Sequence, residues 1–182
     1  MCGRNTVVPD SATPDSQYEG KAQLVDEEQI GFDMEFDDKT QAFLDWVAPE
    51  RMEAGVRAFL AAVVPDISSD SQWWKPPLST RIMEAAKKVF GDWAGFIASE
   101  NRELADGFIR FLGECYIRRH GDITWTNSGK LDSPLYPDFG PAVQVRDTHK
   151  LDLMFEASAL FRENYGPRMV EYSISKAHRA AW

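Results

Sequence analysis

The stretch from Phe108 to Trp125 brings Glu114, Cys115, His120 and Asp122 together with Arg110, Arg118 and Arg119. A thiol beside an imidazole can act as a nucleophile with its base, and a carboxylate at a polar helix end can serve as a general acid. These residue types sketch a small hydrolase or transferase with its site near Glu114, His120 and Asp122, at the end of the 100–120 helix. Spacing weighs against it. Cys115 and His120 lie five residues apart, which on a helix separates them by roughly 140°, so His149 or His178 would have to serve as the base. Cys115 also falls on the expected core face, where a cysteine without an electropositive pocket is inert. Glu114 is four residues from both Arg110 and Arg118, the spacing of a surface ion-pair ladder.

The three histidines, His120, His149 and His178, show no paired spacing, and a zinc site needs three or four converging ligands. The chain contains no glycine-rich phosphate loop, nucleophile elbow or dinucleotide fingerprint. No catalytic residue, metal ligand or cofactor is therefore expected. The opening Met1-Cys2-Gly3-Arg4 resembles the start of the SRAP family, whose cysteine reacts with abasic DNA once the methionine is removed. That family's later Asn, Glu and His motifs have no match here, and the acidic segment that follows would repel DNA.

Helices must position the stretch. The spacing predicts helices over 39–47, 49–64, with Pro49 at its first position, and 79–90, capped by Ser79 and stopped by Gly91. A short turn over 93–98 precedes the best-defined helix, 100–120. Its buried stripe is Leu104, Phe108, Phe111, Leu112, Cys115 and Tyr116, with Arg119 at the margin. Arg118, Arg119 and His120 suit the negative end of the helix dipole, and Gly121 is the expected left-handed cap. Alternation then predicts a strand over 122–126, a turn at 127–130 and a second, antiparallel strand over 142–145. A helix over 148–164 follows, with Leu151, Met154, Phe155, Ala159 and Phe161 inward, and then a weakly helical basic tail. The expected class is predominantly helical α+β, with four to six helices and a small antiparallel hairpin or sheet. Residues 1–29 read as a mobile acidic leader and 30–182 as a single globular domain.

With 182 residues, 43% of them hydrophobic, the chain can bury one sizeable core. The longest apolar run, Phe59 to Val64, is far short of the roughly 20 residues that span a bilayer. The start lacks an apolar signal segment, and Cys2 and Cys115 offer no disulfide framework. A soluble cytoplasmic protein is expected. Of the net charge of −9, residues 1–40 carry −7, from ten acids against Arg4, Lys21 and Lys39, which leaves −2 for the rest. This balance argues against nucleic acid and anionic membranes, and for a basic protein partner.

Within that acidic region, Asp26 to Asp38 interleaves carboxylates with Ile30, Phe32, Met34 and Phe36. The period of two over 30–36 predicts a short half-exposed strand or extended arm. Apolar anchors among acids can dock on a basic, partly apolar surface, which makes Phe32, Asp33, Glu35, Phe36, Asp37 and Asp38 candidate partner-binding residues. Trp73 and Trp74 are added to them, because adjacent tryptophans on a loop either cover the core or anchor a partner.

Phe111-Leu112-Gly113-Glu114, followed by Arg118-Arg119, Gly121, Trp125 and Gly140-Pro141-Ala142-Val143, resembles a pattern of small bacterial uncharacterised domains. Some of these resemble immunity proteins of polymorphic toxin systems. The resemblance covers about residues 104–146 and implies a helix-strand-strand-helix unit, with no site residue carried over. The expectation is a cytoplasmic, non-enzymatic binding protein, an immunity protein or antitoxin that neutralises a toxin through an acidic surface. The alternatives are the small enzyme above and a structural or housekeeping homo-oligomer.

Overall fold

The computed structural model describes residues 37–68, 70–131, 133–145 and 149–177. The leader, the 30–36 arm and His178 lie outside the described residues. Asp37 opens the first helix, α1 (Asp38–Val47), by accepting the backbone N–H groups of Lys39 and Thr40 at 3.0 Å each. Pro49 occupies the first turn of α2 (Pro49–Val63), whose buried stripe is Met52, Val56, Phe59 and Leu60. α3 (Leu78–Phe90) ends at Gly91, whose φ of 75° and ψ of −68° make a γ-turn, closed by the Asp92 N–H donating to the Phe90 carbonyl oxygen at 2.9 Å, a positive-φ backbone that favours glycine. The short α4 (Trp93–Ile97) and a single 3-10 turn (Ser99–Asn101) lead into α5 (Arg102–Arg119).

Three strands follow, β1 (Ile123–Asn127), β2 (Pro141–Val145) and β3 (His149–Asp152), in an antiparallel sheet of order β1-β2-β3. α6 (Leu153–Ala159) and α7 (Pro167–Lys176) complete the described residues. The class is predominantly helical α+β with a small antiparallel sheet, as expected. The turn at 93–98 and the described start of the basic tail both form helices, which raises the count to seven α-helices among the described residues. None of these helices is long and apolar enough to cross a membrane.

α5 is the central element. Phe108, Ile109, Phe111, Leu112, Cys115 and Tyr116 are fully buried, because α2, α4, α6, α7 and the sheet all pack around it. Burial of one such phenylalanine contributes about 1.5–3 kcal/mol. Phe108 stands between Phe59 and Phe96, each 5.7 Å away and edge-on, the geometry that aromatic quadrupoles favour. A second aromatic group joins α1 to the sheet: Trp46 meets the Trp125 ring at 5.1 Å and the Tyr136 ring at 5.7 Å.

Four local expectations are corrected. Ser79 does not cap α3; the cap position is Pro77, and Ser79 is buried inside the helix, where it bonds Glu171 of α7. Gly121 is not left-handed, since the helix already leaves its regular geometry at His120, with φ −130° and ψ 99°. The 148–164 segment is not one helix. Residues 149–152 pair with β2, Leu151 opposite Val143, and the helix begins only where Asp152 accepts the N–H groups of Met154 and Phe155. This offset turns Leu153 and Ala157 inward and leaves Phe155 exposed. Arg110 is not on the surface: it is 6% exposed, because facing helices enclose it.

Candidate functional site

Arg110, Glu114, Arg118 and Arg119 of the 108–125 stretch are bonded into three networks. In the first, Arg110 donates through Nε to Asp106 and through Nη1 to the Trp46 carbonyl oxygen, each at 2.7 Å. Asp106 also accepts from Trp46 Nε1 and the Tyr136 hydroxyl, at 2.7 Å each. In the second, Glu114 accepts from Trp125 Nε1 at 3.0 Å and Arg118 Nε at 2.8 Å, and the Arg118 guanidinium lies 4.9 Å from the Trp73 ring centroid.

In the third, Arg119 donates to the Trp74 carbonyl oxygen and to both carboxylate oxygens of Glu171. Its Nη2 also reaches the Ser79 hydroxyl at 2.8 Å. His120 engages α7 as well, donating from Nε2 to the Ile174 carbonyl oxygen at 2.7 Å. Glu114 and His120 therefore serve different elements. These arginines bind α5 to its surroundings, while Asp122 is exposed just before β1.

Cys115 is fully buried, and burial pushes its thiol far above the ordinary value. A thiolate is the reactive form. Cys115 is accordingly expected to resist alkylation by iodoacetamide in the native protein and to react fully in denaturant, as followed by peptide mass mapping, which separates Cys115 from Cys2. Rapid labelling of folded protein would show that this part of the core opens.

The structure places Asp37 and Asp38 at the solvent-facing start of α1. Hydrogen bonds from the Thr40 side chain and backbone hold the Asp37 carboxyl below its ordinary value. Phe32, Asp33, Glu35 and Phe36 lie outside the described residues. Trp73 is buried against Phe111 at 5.6 Å, and Trp74, half-buried, meets Trp73 edge-on at 5.5 Å. The tryptophan pair covers the core, and no hydrogen bond, ion pair or ring contact joins it to Asp37 or Asp38 among the described residues.

A groove of about 910 Å³ opens elsewhere, between β3 on one side and α6 and α7 on the other. Phe155, Tyr165, Met169 and Tyr172 line it and remain 58%, 51%, 40% and 57% exposed, an unusual concentration of large apolar side chains at one place. The Tyr116 hydroxyl, rising from α5, donates to Glu156 at 3.2 Å, and Ser173 hydrogen-bonds the same carboxylate. Burial raises the Glu156 carboxyl above its ordinary value, against the pull of these two hydrogen bonds. Lys130 pairs with Asp152 at 3.2 Å, while Lys150 and Lys176 also line the groove.

No family model, curated protein or solved structure matches this chain.

Sequence reasoning missed this groove. One signal was present: Met169, Tyr172 and Lys176 recur on one face of α7, while Val170 and Ile174 occupy the buried face. A helix with an apolar stripe on each side has one more apolar face than its own core needs.

Proposed function

We propose that this chain is a non-enzymatic protein-binding domain of the immunity-protein or antitoxin kind, which engages a basic toxin through its acidic amino-terminal strip and acts in the cytoplasm. The observation that carries this reading is the contrast between two sets of polar groups. Arg110, Glu114, Arg119 and His120 are bonded to neighbouring elements of the fold, whereas the carboxylates at the start of α1 face solvent. Fixed at a helix start, Asp37 and Asp38 offer a basic surface charges that need little ordering on contact.

The test compares the full chain with the triple variant Asp33→Asn, Glu35→Gln, Asp38→Asn. Asp37 is kept because its carboxylate caps α1. Tagged protein is used at low salt to isolate a stoichiometric basic partner from native cells, and the affinity of the purified pair is then measured. Loss of three acids from the strip is expected to weaken binding at least tenfold, mainly through slower association, and added salt to weaken the unsubstituted pair in the same way. Equal affinities for the two proteins would refute the strip as the contact.

A further inference from the structure

The groove between β3 and α7 has a chemistry opposite to that of the acidic strip, and the reading above leaves it unused. β3 is the last strand of the sheet: β2 pairs with one side of it, and no described strand pairs with the other. An edge strand facing a helix across an apolar groove is what strand addition requires. Main-chain hydrogen bonds hold the added segment, and pockets select alternate side chains.

The charges along the groove narrow the occupant. The whole chain carries 29 acidic against 20 basic residues. The groove lining departs from that excess, with Lys130, Lys150 and Lys176 beside two carboxylates, Asp152 and Glu156. Asp152 is paired with Lys130, and Glu156 is held by Tyr116 and Ser173. Lys150 reaches across β2 to a carbonyl oxygen, that of Asn127 on β1 at 2.8 Å, a neutral contact it would exchange for a carboxylate at the open edge, and Lys176 lies 5.6 Å from the Tyr172 ring centroid. Neither lysine has a carboxylate partner among the described residues.

We propose that this groove takes an extended acidic segment of a partner protein, added along β3 as a fourth strand. Its alternate apolar side chains seat among Phe155, Tyr165, Met169 and Tyr172, and its acids meet Lys150 and Lys176. Neighbouring strands lie about 4.8 Å apart, which places one row of the added side chains over the apolar wall. This inference does not depend on the acidic strip, and each can fail alone.

The probe is a capped, fluorescent peptide of about eight residues in which glutamate alternates with valine and leucine, titrated into the full chain. Two controls accompany it: the same peptide with lysine for glutamate, and one N-methylated at alternate backbone positions so that it cannot pair with a strand. The glutamate peptide is expected to bind and to slow amide exchange at β3. Lys150→Glu with Lys176→Glu, or Tyr172→Ser with Phe155→Ser, is expected to weaken binding about tenfold or more. All four positions are at the groove surface, and circular dichroism checks that each variant remains folded. Equal binding of the lysine or N-methylated peptide would overturn the proposal, as would undiminished binding by the variants or no binding at all. A concentration-dependent dimer abolished by Tyr172→Ser would also overturn it, by assigning the groove to a second copy of the chain.

Discussion

Arg119→Ala is expected to lower the unfolding free energy by about 3 kcal/mol or more. The guanidinium and the Glu171 carboxylate are 8% and 13% exposed at their side chains, so neither is well hydrated once the other is gone. Removal of the arginine leaves the carboxylate with only the neutral hydroxyls of Ser79 and Ser175 and deprives the Trp74 carbonyl oxygen of its donor. An exposed pair would contribute about 1 kcal/mol at most. Burial makes this pair different, because the loss of one partner strands the other's charge. The double substitution Arg119→Met with Glu171→Met, which strands no charge, is expected to recover much of the loss. Urea unfolding of the three proteins measures both steps. A cost below about 1 kcal/mol for Arg119→Ala would mean that water reaches the network and solvates Glu171.

The second large effect opposes helix propensity. Gly113 lies inside α5, where replacement of glycine by alanine ordinarily stabilises by about 1 kcal/mol. Here a Cβ would fall inside the Trp125 ring, which rests directly on the glycine backbone. The ring cannot withdraw without releasing its hydrogen bond to Glu114 and its edge-on contact with Trp46. Overpacking of this kind costs about 1–3 kcal/mol, enough to exceed the propensity gain. Gly113→Ala is therefore expected to destabilise by about 2 kcal/mol and to alter tryptophan fluorescence. With Trp125→Val in place, the same change is expected to become neutral or stabilising. A stabilising Gly113→Ala in the unaltered protein would show that the ring has room to move.

Gly113 also shows which parts of the fold were legible in the sequence. The helix boundaries that were read correctly carry local punctuation: Pro49 opens α2 and Gly91 closes α3, whereas β1 runs on through Asn127, the residue expected to begin a turn. The close approach of Trp125 to Gly113 leaves no local mark, because it depends on how β1 folds back on α5. The same holds for Arg119 and Glu171, which are 52 residues apart in sequence. Arg118 and Arg119 share the character of helix-end cations, yet Arg118 is 35% exposed and Arg119 8%, since only Arg119 turns toward α7. The missed strand had a different cause. Leu151 and Phe155 satisfy a helical period, but Leu151 is committed to pairing opposite Val143, and Asp152 resets the phase of the helix that follows. Once that phase is wrong, Phe155 is assigned to the core and one wall of the groove disappears. Of the candidate partner-binding residues, Asp37 was legible in position, while its capping of α1 follows from the first regular turn beginning one residue later.

The dependence of α5 on α7 bears on how the protein is made. During synthesis the central helix is complete while Glu171, which neutralises Arg119, is still 52 residues from being added. At ordinary translation speeds this delay lasts roughly 3–10 s, far longer than a helix needs to form. Through that interval the carboxy-terminal end of α5 lacks the neighbour that covers Tyr116 and neutralises its last arginine. A nascent chain arrested before α7 is thus a sticky intermediate, and the final closure of the domain waits for its last described helix.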